Sequence, residues 1–193
     1  YDNESAECNE EFYWNPKAIN VRADIRDYHR LKDCMSNVDY VFHLAAESRI
    51  QPAILNPIEA VSVNCVGTVT VLQCAREAGV KRVMYSSTSA AYGLNPSPNV
   101  ETQPDDCLNP YSVSKVSGEK LCKMYTNLFG LKTVFLRYFN VYGPGEGHKG
   151  DQMSLVSKFQ KQASQDGVIK LFEGSDKFKR DLVISKTRHN YDC

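Results

Sequence analysis

A tyrosine and a lysine four residues apart are the most chemically informative pair in this sequence. Tyr111-Ser-Val-Ser-Lys115 opens a helical pattern, so both side chains should lie on one helix face, about 6 Å apart at Cβ. A positive charge about 4 Å from a phenol contributes roughly 4 kcal/mol at an effective dielectric constant of about 20. That energy equals about 3 pK units, which would bring a tyrosine pKa near 10 towards the range of a working base.

The chain before this pair carries a hydroxyl cluster. Ser86-Ser87-Thr88-Ser89 comes directly after a short apolar run that predicts a strand. Such clusters are more often turns and helix caps than catalytic groups, and an isolated Tyr-x-x-x-Lys is usually an ordinary helix surface. The two features one segment apart favour a catalytic interpretation of both.

Other polar or small residues follow the predicted strands, where ligands of open parallel sheets bind. Each is a weak signal alone. Asp2 could present a carboxylate to ribose hydroxyls, and small residues at a strand end would let a pyrophosphate or ribose approach the backbone. The candidate positions are Asp2-Asn3, Asp24-Ile25, Leu44-Ala45-Ala46 and, in the following helix, Asn64.

Short β-branched or aromatic runs alternate with longer helical patterns, which predicts an α/β protein with a Rossmann-like, doubly wound parallel sheet. We predict strands at 19–23, 40–45, 83–86, 133–138 and 169–172, and helices at 28–35, 57–78, 111–129 and 154–164. Beyond Gly143 the composition shifts to Gly, Lys and Gln. We therefore predict a partial dinucleotide-binding domain over 1–145 and the start of a substrate-binding subdomain over 146–193.

Composition excludes some partners. The 193 residues carry 23 Lys plus Arg and 23 Asp plus Glu, so no excess positive charge exists to hold nucleic acid or a membrane surface. No apolar run in the sequence approaches the roughly 20 residues of a membrane span, and a cytoplasmic location is expected. The seven cysteines include no Cys-x-x-Cys pair, so neither a metal site nor a disulfide scaffold is predicted.

Seven motifs stand in register over roughly residues 1–183. They are Asp2-Asn3, Asp24-Ile25-Arg26, His43-Leu-Ala-Ala46, Asn64 with Gly67-Thr68, Ser86-Ser-Thr-Ser-Ala-Ala-Tyr-Gly93, Tyr111-Ser-Val-Ser-Lys115 and Arg137-Tyr-Phe-Asn-Val-Tyr-Gly143. Together these motifs resemble the extended short-chain dehydrogenase/reductases. Within that group the sequence is most similar to the NAD-dependent epimerase/dehydratase family, and there to the nucleotide-sugar 4-epimerases that act on UDP-glucose or UDP-N-acetylglucosamine.

The resemblance implies NAD as cofactor and assigns residues to it. Asp2 and Asn3 would hold the adenosine ribose, Asp24 and Ile25 would flank adenine, and the residues after the next strand would line the pyrophosphate and ribose. The complete implied cofactor set is Asp2, Asn3, Asp24, Ile25, Leu44, Ala45, Ala46, Asn64, Ser86, Ser87, Tyr111, Lys115 and Tyr138.

The implied reaction is epimerisation of a nucleotide-diphosphate sugar. Tyr111 would be the catalytic base, Lys115 would bind the nicotinamide ribose and lower the pKa of Tyr111, and Thr88 would align the sugar. Thr88, Asn140 and Arg180 would contact the substrate. A sugar hydroxyl is oxidised to a keto sugar, which turns over and is reduced again on its other face.

Two alternatives remain open. A nucleotide-sugar 4,6-dehydratase, or another oxidoreductase of the group, is disfavoured because Ser89-Ala90 follows Thr88 where a dehydratase carries an Asp-Glu pair. A non-catalytic dinucleotide-binding module is disfavoured because Tyr111 and Lys115 are both present.

The family pattern also has parts outside this sequence. Its first strand and glycine-rich loop would precede Tyr1, and its substrate subdomain would continue after Arg180-Asp181. We therefore expect a chain truncated at both ends that is inactive alone. The resemblance further implies a homodimer through a four-helix interface formed by residues 57–78 and 111–129.

Overall fold

A computed structural model describes residues 1–6, 12, 14–144, 146, 153–171, 173 and 182–184. The chain divides into two compact units, one of Tyr1–Glu4 and Pro16–Arg137 and the other of Ser5–Asn15 and Tyr138–Cys193. The domain boundary predicted after residue 145 thus falls eight residues beyond the end of the first unit and stays a prediction.

The first unit is built around a three-stranded sheet in the order β1-β2-β3, where β1 is Tyr40–His43, β2 is Arg82–Thr88 and β3 is Thr133–Tyr138. Strands β1 and β2 are parallel, with Tyr40 opposite Arg82 and His43 opposite Tyr85. This Rossmann-like sheet with helices between its strands confirms the predicted fold class.

The helices come between the strands, as expected for crossovers of a parallel sheet. A short helix, α2, was not predicted. The helices are α1 (Tyr28–Cys34), α2 (Ile50–Leu55), α3 (Pro57–Val61), α4 (Thr68–Glu77), α5 (Pro110–Phe129) and α6 (Leu155–Asp166), with a π-helical segment (Ser62–Gly67) joining α3 to α4 and a 3₁₀ turn (Ser89–Tyr92) after β2.

Two predicted strands differ in the structure. The run 19–23 is reduced to a single bridge between Arg22 and Asp2, since Glu4 adopts a φ of 56° and turns the chain away. The described part of the run 169–172 is not a strand, because the Lys170 amide donates to the Gln162 side chain at 3.1 Å. Phe172 lies outside the described residues.

The second unit contains α6 and two three-residue strands that the sequence did not predict. These strands, β4 (Asn140–Tyr142) and β5 (Leu182–Ile184), pair in parallel, with Asn140 opposite Leu182. Helix α6 begins after Ser154, whose hydroxyl accepts the amide of Ser157. These short strands carry no periodic pattern from which they could have been found.

The core of the first unit lies between the sheet and the helices α1, α4 and α5. It buries the aromatic ring of Tyr85 as well as aliphatic side chains. Its buried members are Ile25, Leu31, Met35, Val71, Leu72, Cys74, Ala75, Val80, Val83, Tyr85, Cys122, Tyr125 and Leu131.

One helical stretch is long and apolar enough to meet the criteria for a membrane span, contrary to what the sequence predicted. Residues 57–77 have a mean hydropathy of 1.4 over an 18-residue window and meet the length of a membrane span. Half of that window is buried inside the fold. A core helix passes the same test, and α4 buries six of its ten residues.

Candidate active site

Helix α5 presents the tyrosine and lysine pair, and its start is well defined. The Asn109 side chain accepts the amide of Ser112 at 2.9 Å, the Ser112 hydroxyl accepts the amide of Asn109 at 3.3 Å, and Pro110 occupies the first turn. Gly130, with a φ of 70°, ends the helix. Tyr111 is therefore fixed in the first turn and Lys115 one turn later.

The Tyr111 phenol and the Thr88 hydroxyl are neighbours in the candidate site. The phenol is partly buried, Thr88 is buried at 7% exposure, and the Thr88 hydroxyl at the end of β2 lies within hydrogen-bonding reach of the phenol. Thr88 also accepts the amide of Ala90 at 3.1 Å, which fixes its position. The predicted neighbours from β2 and α5 thus meet in one place.

Lys115 is buried, with 3% of its surface exposed, and its Nζ lies 4.6 Å from the centre of the Tyr85 ring. Within the described part of the chain its ammonium makes no hydrogen bond. Burial lowers the pKa of Lys115 to about 8, against the electrostatic effects of the Cys122 thiol and the Glu119 carboxylate, which raise it. At neutral pH the side chain is therefore a cation with unused donors.

The structure contradicts one electrostatic prediction. Burial raises the pKa of the Tyr111 phenol, the Thr88 hydrogen bond lowers it, and the Glu47 carboxylate raises it further. Lys115 is not among the groups that act on this phenol, because its ammonium lies over Tyr85. The four-residue spacing gives the shared face but not the direction of a long lysine side chain.

The aromatic ring of Tyr85 packs against the Lys115 ammonium. Its hydroxyl donates to the backbone oxygen of Lys115 at 3.2 Å, and its ring lies 5.5 Å from that of His43. A Cβ added at Gly118 would come within 2.3 Å of the Tyr85 hydroxyl oxygen, so glycine is required where α5 crosses β2. The ring cannot move without disturbing Lys115.

Asn64 braces the site from the π-helical segment. Its Oδ1 accepts the amide of Glu47 at 2.9 Å, while its Nδ2 donates to the Glu47 carbonyl at 3.0 Å and to the Ser114 hydroxyl at 2.9 Å. Ser114 in turn donates to the carbonyl of Tyr111 at 2.8 Å. Both amide protons of Asn64 are used, so the structure supports a bracing role instead of the predicted contact with cofactor.

Two of the residues predicted to bind the adenosine end of the cofactor, Asn3 and Asp24, contact one another. Asn3 donates to the Asp24 carboxylate at 3.2 Å, and Arg26 binds the same carboxylate at 2.9 and 2.7 Å, which holds the pKa of Asp24 at about 2. Asp2 is exposed beside Asn3. Ile25, predicted to flank adenine, is 8% exposed and packs in the core against Gly67, and its contact with adenine stays a prediction.

The remaining predicted residues fall into three groups. Leu44 and Ala45 are exposed and Ala46 is partly buried after β1, so this strand end is open to a ligand. Ser86 is partly buried and Ser87 is buried in β2. The last group lies beyond the first unit: Tyr138 ends β3 and Asn140 opens β4, both assigned to the second unit, and Arg180 lies outside the described residues.

Sequence reasoning missed a buried carboxylate. Glu119 is 2% exposed, accepts a short hydrogen bond from Ser87, and binds Arg137 Nε at 2.8 Å and Nη2 at 2.7 Å. Two signals could have found it. Glu119 stands four residues after Lys115 on an otherwise apolar helix face, and Arg137 is the one charged residue of β3.

His43 is buried and neutral. Its Nε2 lies 2.9 Å from the Thr68 hydroxyl, and burial together with the Lys115 charge lowers its pKa to about 3. Among the described residues, no group of three His, Cys, Asp or Glu side chains could hold a metal ion. His43 thus belongs to the packing beneath Lys115.

This histidine should make stability depend on pH. Between pH 6.5 and 5 the unfolded chain binds a proton at His43 that the folded chain does not, so the free energy of unfolding falls as pH falls, by up to about 1.4 kcal/mol per pH unit. His43→Gln should reduce that slope in urea titrations. His29→Gln, at an exposed histidine, is the control, and an unchanged slope in His43→Gln would contradict the assignment.

A parallel α/β sheet with a buried Tyr-x-x-x-Lys pair beside a strand-end threonine defines the short-chain dehydrogenase/reductase class. The chain belongs to the NAD dependent epimerase/dehydratase family, whose sequence profile matches residues 3–186. NAD is accordingly the cofactor of the family, and the unused donors of the buried Lys115 fit the hydroxyls of its ribose.

Individual proteins similar to this chain support its membership of the family. The putative UDP-glucose 4-epimerase of Methanocaldococcus jannaschii is 35% identical over 176 residues, covering 88% of this chain and 56% of the relative. The UDP-glucose 4-epimerase of Thermotoga maritima, crystallised with UDP-glucose, is 30% identical with a TM-score of 0.79, covering 89% and 56% of the two chains.

A dehydratase is also similar. A double mutant of dTDP-glucose 4,6-dehydratase from Streptomyces venezuelae, crystallised with NAD, is 31% identical with a TM-score of 0.75, covering 88% of this chain and 52% of that one. The chain thus spans about half the length of the relatives it matches.

Proposed function

We propose that this chain forms the catalytic half of an NAD-dependent nucleotide-sugar epimerase. The observation that carries the proposal is the Thr88 hydroxyl within hydrogen-bonding reach of the Tyr111 phenol, with the buried Lys115 side chain one helical turn after Tyr111. NAD, when bound, accepts a hydride from the sugar carbon and returns it. The residues of this chain supply binding, orientation and proton transfer.

Each side chain has a distinct role in the proposal. Tyr111 takes the proton of the sugar hydroxyl during oxidation and returns it during reduction. Thr88 aligns that hydroxyl and is the contact that lowers the pKa of the phenol. Lys115 donates to the ribose hydroxyls of the nicotinamide half, since its donors are free of acceptors within the described residues. The keto sugar then turns over between the two steps.

The remaining contacts follow the strand ends. Asp2, Asn3 and Asp24 would meet the adenosine end, and Leu44, Ala45 and Ala46 would line the pyrophosphate and ribose. Ser86, Ser87 and Tyr138 are proposed for the nicotinamide half, and Asn140 and Arg180 for the nucleotide sugar. A carboxylate at Asp2 favours NAD over its phosphorylated form by charge repulsion.

The site favours an epimerase over a dehydratase. Elimination of water needs an acid and a base beside the substrate, and the residues that follow Thr88 are Ser89 and Ala90 in a 3₁₀ turn without a carboxylate. A non-catalytic module would not need a phenol and a hydroxyl within reach of each other. Incubation of a form extended to the length of the relatives with UDP-glucose and UDP-N-acetylglucosamine, with the inverted sugar detected by NMR, tests the assignment.

The 193-residue chain alone should bind NAD weakly and not turn over. It spans about half the length of its relatives, so we expect it to supply only part of their contacts to cofactor and substrate. Calorimetric titration of the chain with NAD should give a dissociation constant well above about 1 μM. Submicromolar binding would contradict this proposal.

A homodimer through residues 57–78 and 111–129 is a further proposal, because these helices expose apolar side chains. Ile58 is 83% exposed, Leu128 69% and Val113 49%. Leu128→Glu should shift the sedimentation coefficient towards the monomer. A wild-type chain that remains monomeric at about 100 μM would contradict the dimer.

A further inference from the structure

The carboxylate of Glu119 joins three elements of the first unit. It lies in α5, accepts the Ser87 hydroxyl from β2, and binds the Arg137 guanidinium from β3 through both of its oxygens. The side chain of Arg137 is 11% exposed and that of Glu119 2%, so the pair is shielded from water. Bidentate pairs of this kind fix orientation as well as distance.

Arg137 is itself held on two further sides. Its Nη2 binds the Asp105 carboxylate at 2.6 Å, and its guanidinium lies 4.8 Å from the centre of the Tyr92 ring. Tyr92 closes the 3₁₀ turn that Thr88 caps. The guanidinium therefore contacts the turn that follows the strand-end threonine, while its partner Glu119 accepts the hydroxyl of Ser87, the residue before that threonine.

The joined positions are the immediate neighbours of the candidate catalytic groups. Ser87 directly precedes Thr88, and Glu119 lies one helical turn after Lys115 on the same face of α5. A shift of β2 along α5 would separate Thr88 from Tyr111 and would also break the bond between Ser87 and Glu119. The buried ion pair thus sits where that shift can be prevented.

We propose that Glu119, clamped by Arg137, is a positioning residue that sets the Thr88 to Tyr111 spacing and places a buried negative charge beside Lys115. This inference rests on the proposed function for its catalytic consequence. Glu119 does not contact the reacting atoms. Its effect is exerted through the end of β2 and through the charge on the lysine.

The groups around the Lys115 ammonium support the proposed effect of Glu119 on its charge. Burial lowers the pKa of Lys115, whereas Cys122 and Glu119 raise it. The groups that face this ammonium are His43 from β1, Tyr85 from β2, and Cys122 and Glu119 from its own helix. His43 is neutral above its pKa of about 3, so Glu119 is the carboxylate that favours the ammonium.

Replacing the whole pair separates positioning from stability. A buried ion pair exchanged for apolar side chains of similar size often leaves stability unchanged or higher. Glu119→Leu combined with Arg137→Met should therefore unfold at a urea concentration near that of the wild type. In an expressed form that turns over nucleotide sugar, kcat should nevertheless fall about 100-fold, with KM changed by less than about threefold, because the catalytic groups are misplaced.

The control for this experiment is Asp105→Asn. It removes the partly exposed branch of the Arg137 pair and leaves the bond to Glu119, so kcat should stay within about threefold of the wild type. A double variant as stable and as active as the wild type would show that the pair does not position the catalytic groups and would overturn the proposal.

A second measurement is independent of turnover and of the double variant. Competitive acetylation of the 193-residue chain at a series of pH values, read by peptide mass spectrometry, gives the pKa of Lys115. Glu119→Gln keeps an acceptor for Ser87 but removes the charge, so the Lys115 pKa should fall below about 8. An unchanged Lys115 pKa would overturn the proposed effect of Glu119 on this lysine.

The kinetic and the labelling experiments distinguish failure of the proposed function from failure of the proposed role of Glu119. A wild-type protein extended to the length of its relatives that inverts no nucleotide sugar refutes the proposed function, while the labelling experiment on the 193-residue chain still decides whether Glu119 acts on Lys115. Labelling at exposed Lys120 on the same helix is the internal control for reagent and folding.

Discussion

Tyr111→Phe should lower the kcat of nucleotide-sugar epimerisation by about 100-fold to 10,000-fold. The change removes the hydroxyl that lies within reach of Thr88 and keeps the ring, so the first turn of α5 and its Asn109 cap should persist. Because the phenol takes up and returns the substrate proton, its loss acts on the chemical step. Steady-state kinetics in an expressed form that turns over the sugar measures the effect.

The matched control is Tyr125→Phe on the same helix. The Tyr125 hydroxyl donates to Gln73 at 3.0 Å, in the core and away from the Thr88 and Tyr111 pair. This variant should keep kcat within about threefold of the wild type while losing a modest amount of stability. Turnover by Tyr111→Phe at the wild-type rate would refute Tyr111 as the base.

Glu119→Ala should lower the free energy of unfolding by about 3 to 5 kcal/mol, the largest effect on stability that we expect. The substitution leaves the buried Arg137 guanidinium without its bidentate partner and removes the acceptor of the Ser87 hydroxyl. Desolvation of a charge in such a place is no longer offset by the ion pair. Urea unfolding followed by circular dichroism measures the change.

A surface ion pair provides the comparison. Lys81 and Asp39 lie 2.8 Å apart, but both side chains are more than 60% exposed. Asp39→Ala should leave the unfolding midpoint almost unchanged, since water and salt screen exposed charges. Equal effects of Glu119→Ala and Asp39→Ala would show that burial of the first pair adds nothing.

The architecture of the first unit was predictable because its strands are continuous apolar runs. Strand β3 has the predicted limits, and β1 begins at the predicted residue. The run 19–23 looked equally strand-like, but a strand also needs a partner, and Glu4 ends the pairing after one bridge. Pairing partners are a property of the fold and cannot be read from a local pattern.

The candidate site was predictable at the level of which residues meet. Tyr111 lies within reach of Thr88, as the strand-end rule indicates, and Lys115 is buried one helical turn after Tyr111. The directions of their side chains were not predictable. The Lys115 ammonium lies over the ring of Tyr85, and Ile25 packs in the core. The side-chain amide of Asn64 donates to Ser114 within the protein.

The buried cluster of Glu119, Ser87 and Arg137 shows why buried polar side chains are hard to predict from a single sequence. A glutamate on a helix is usually an exposed residue, and the four-residue spacing from Lys115 is a weak local signal for one that is 2% exposed. Its partners Ser87 and Arg137 lie 32 and 18 residues away in the chain. Only the packing of β2, β3 and α5 brings the three together.

The most direct test of the proposed chemistry is epimerisation in deuterium oxide. If the hydride removed from the sugar carbon is returned to the same carbon, the inverted sugar should contain no carbon-bound deuterium by NMR or mass spectrometry. Solvent deuterium on the inverted carbon would show that a proton is abstracted from carbon instead, and would contradict the mechanism built on Thr88, Tyr111 and Lys115.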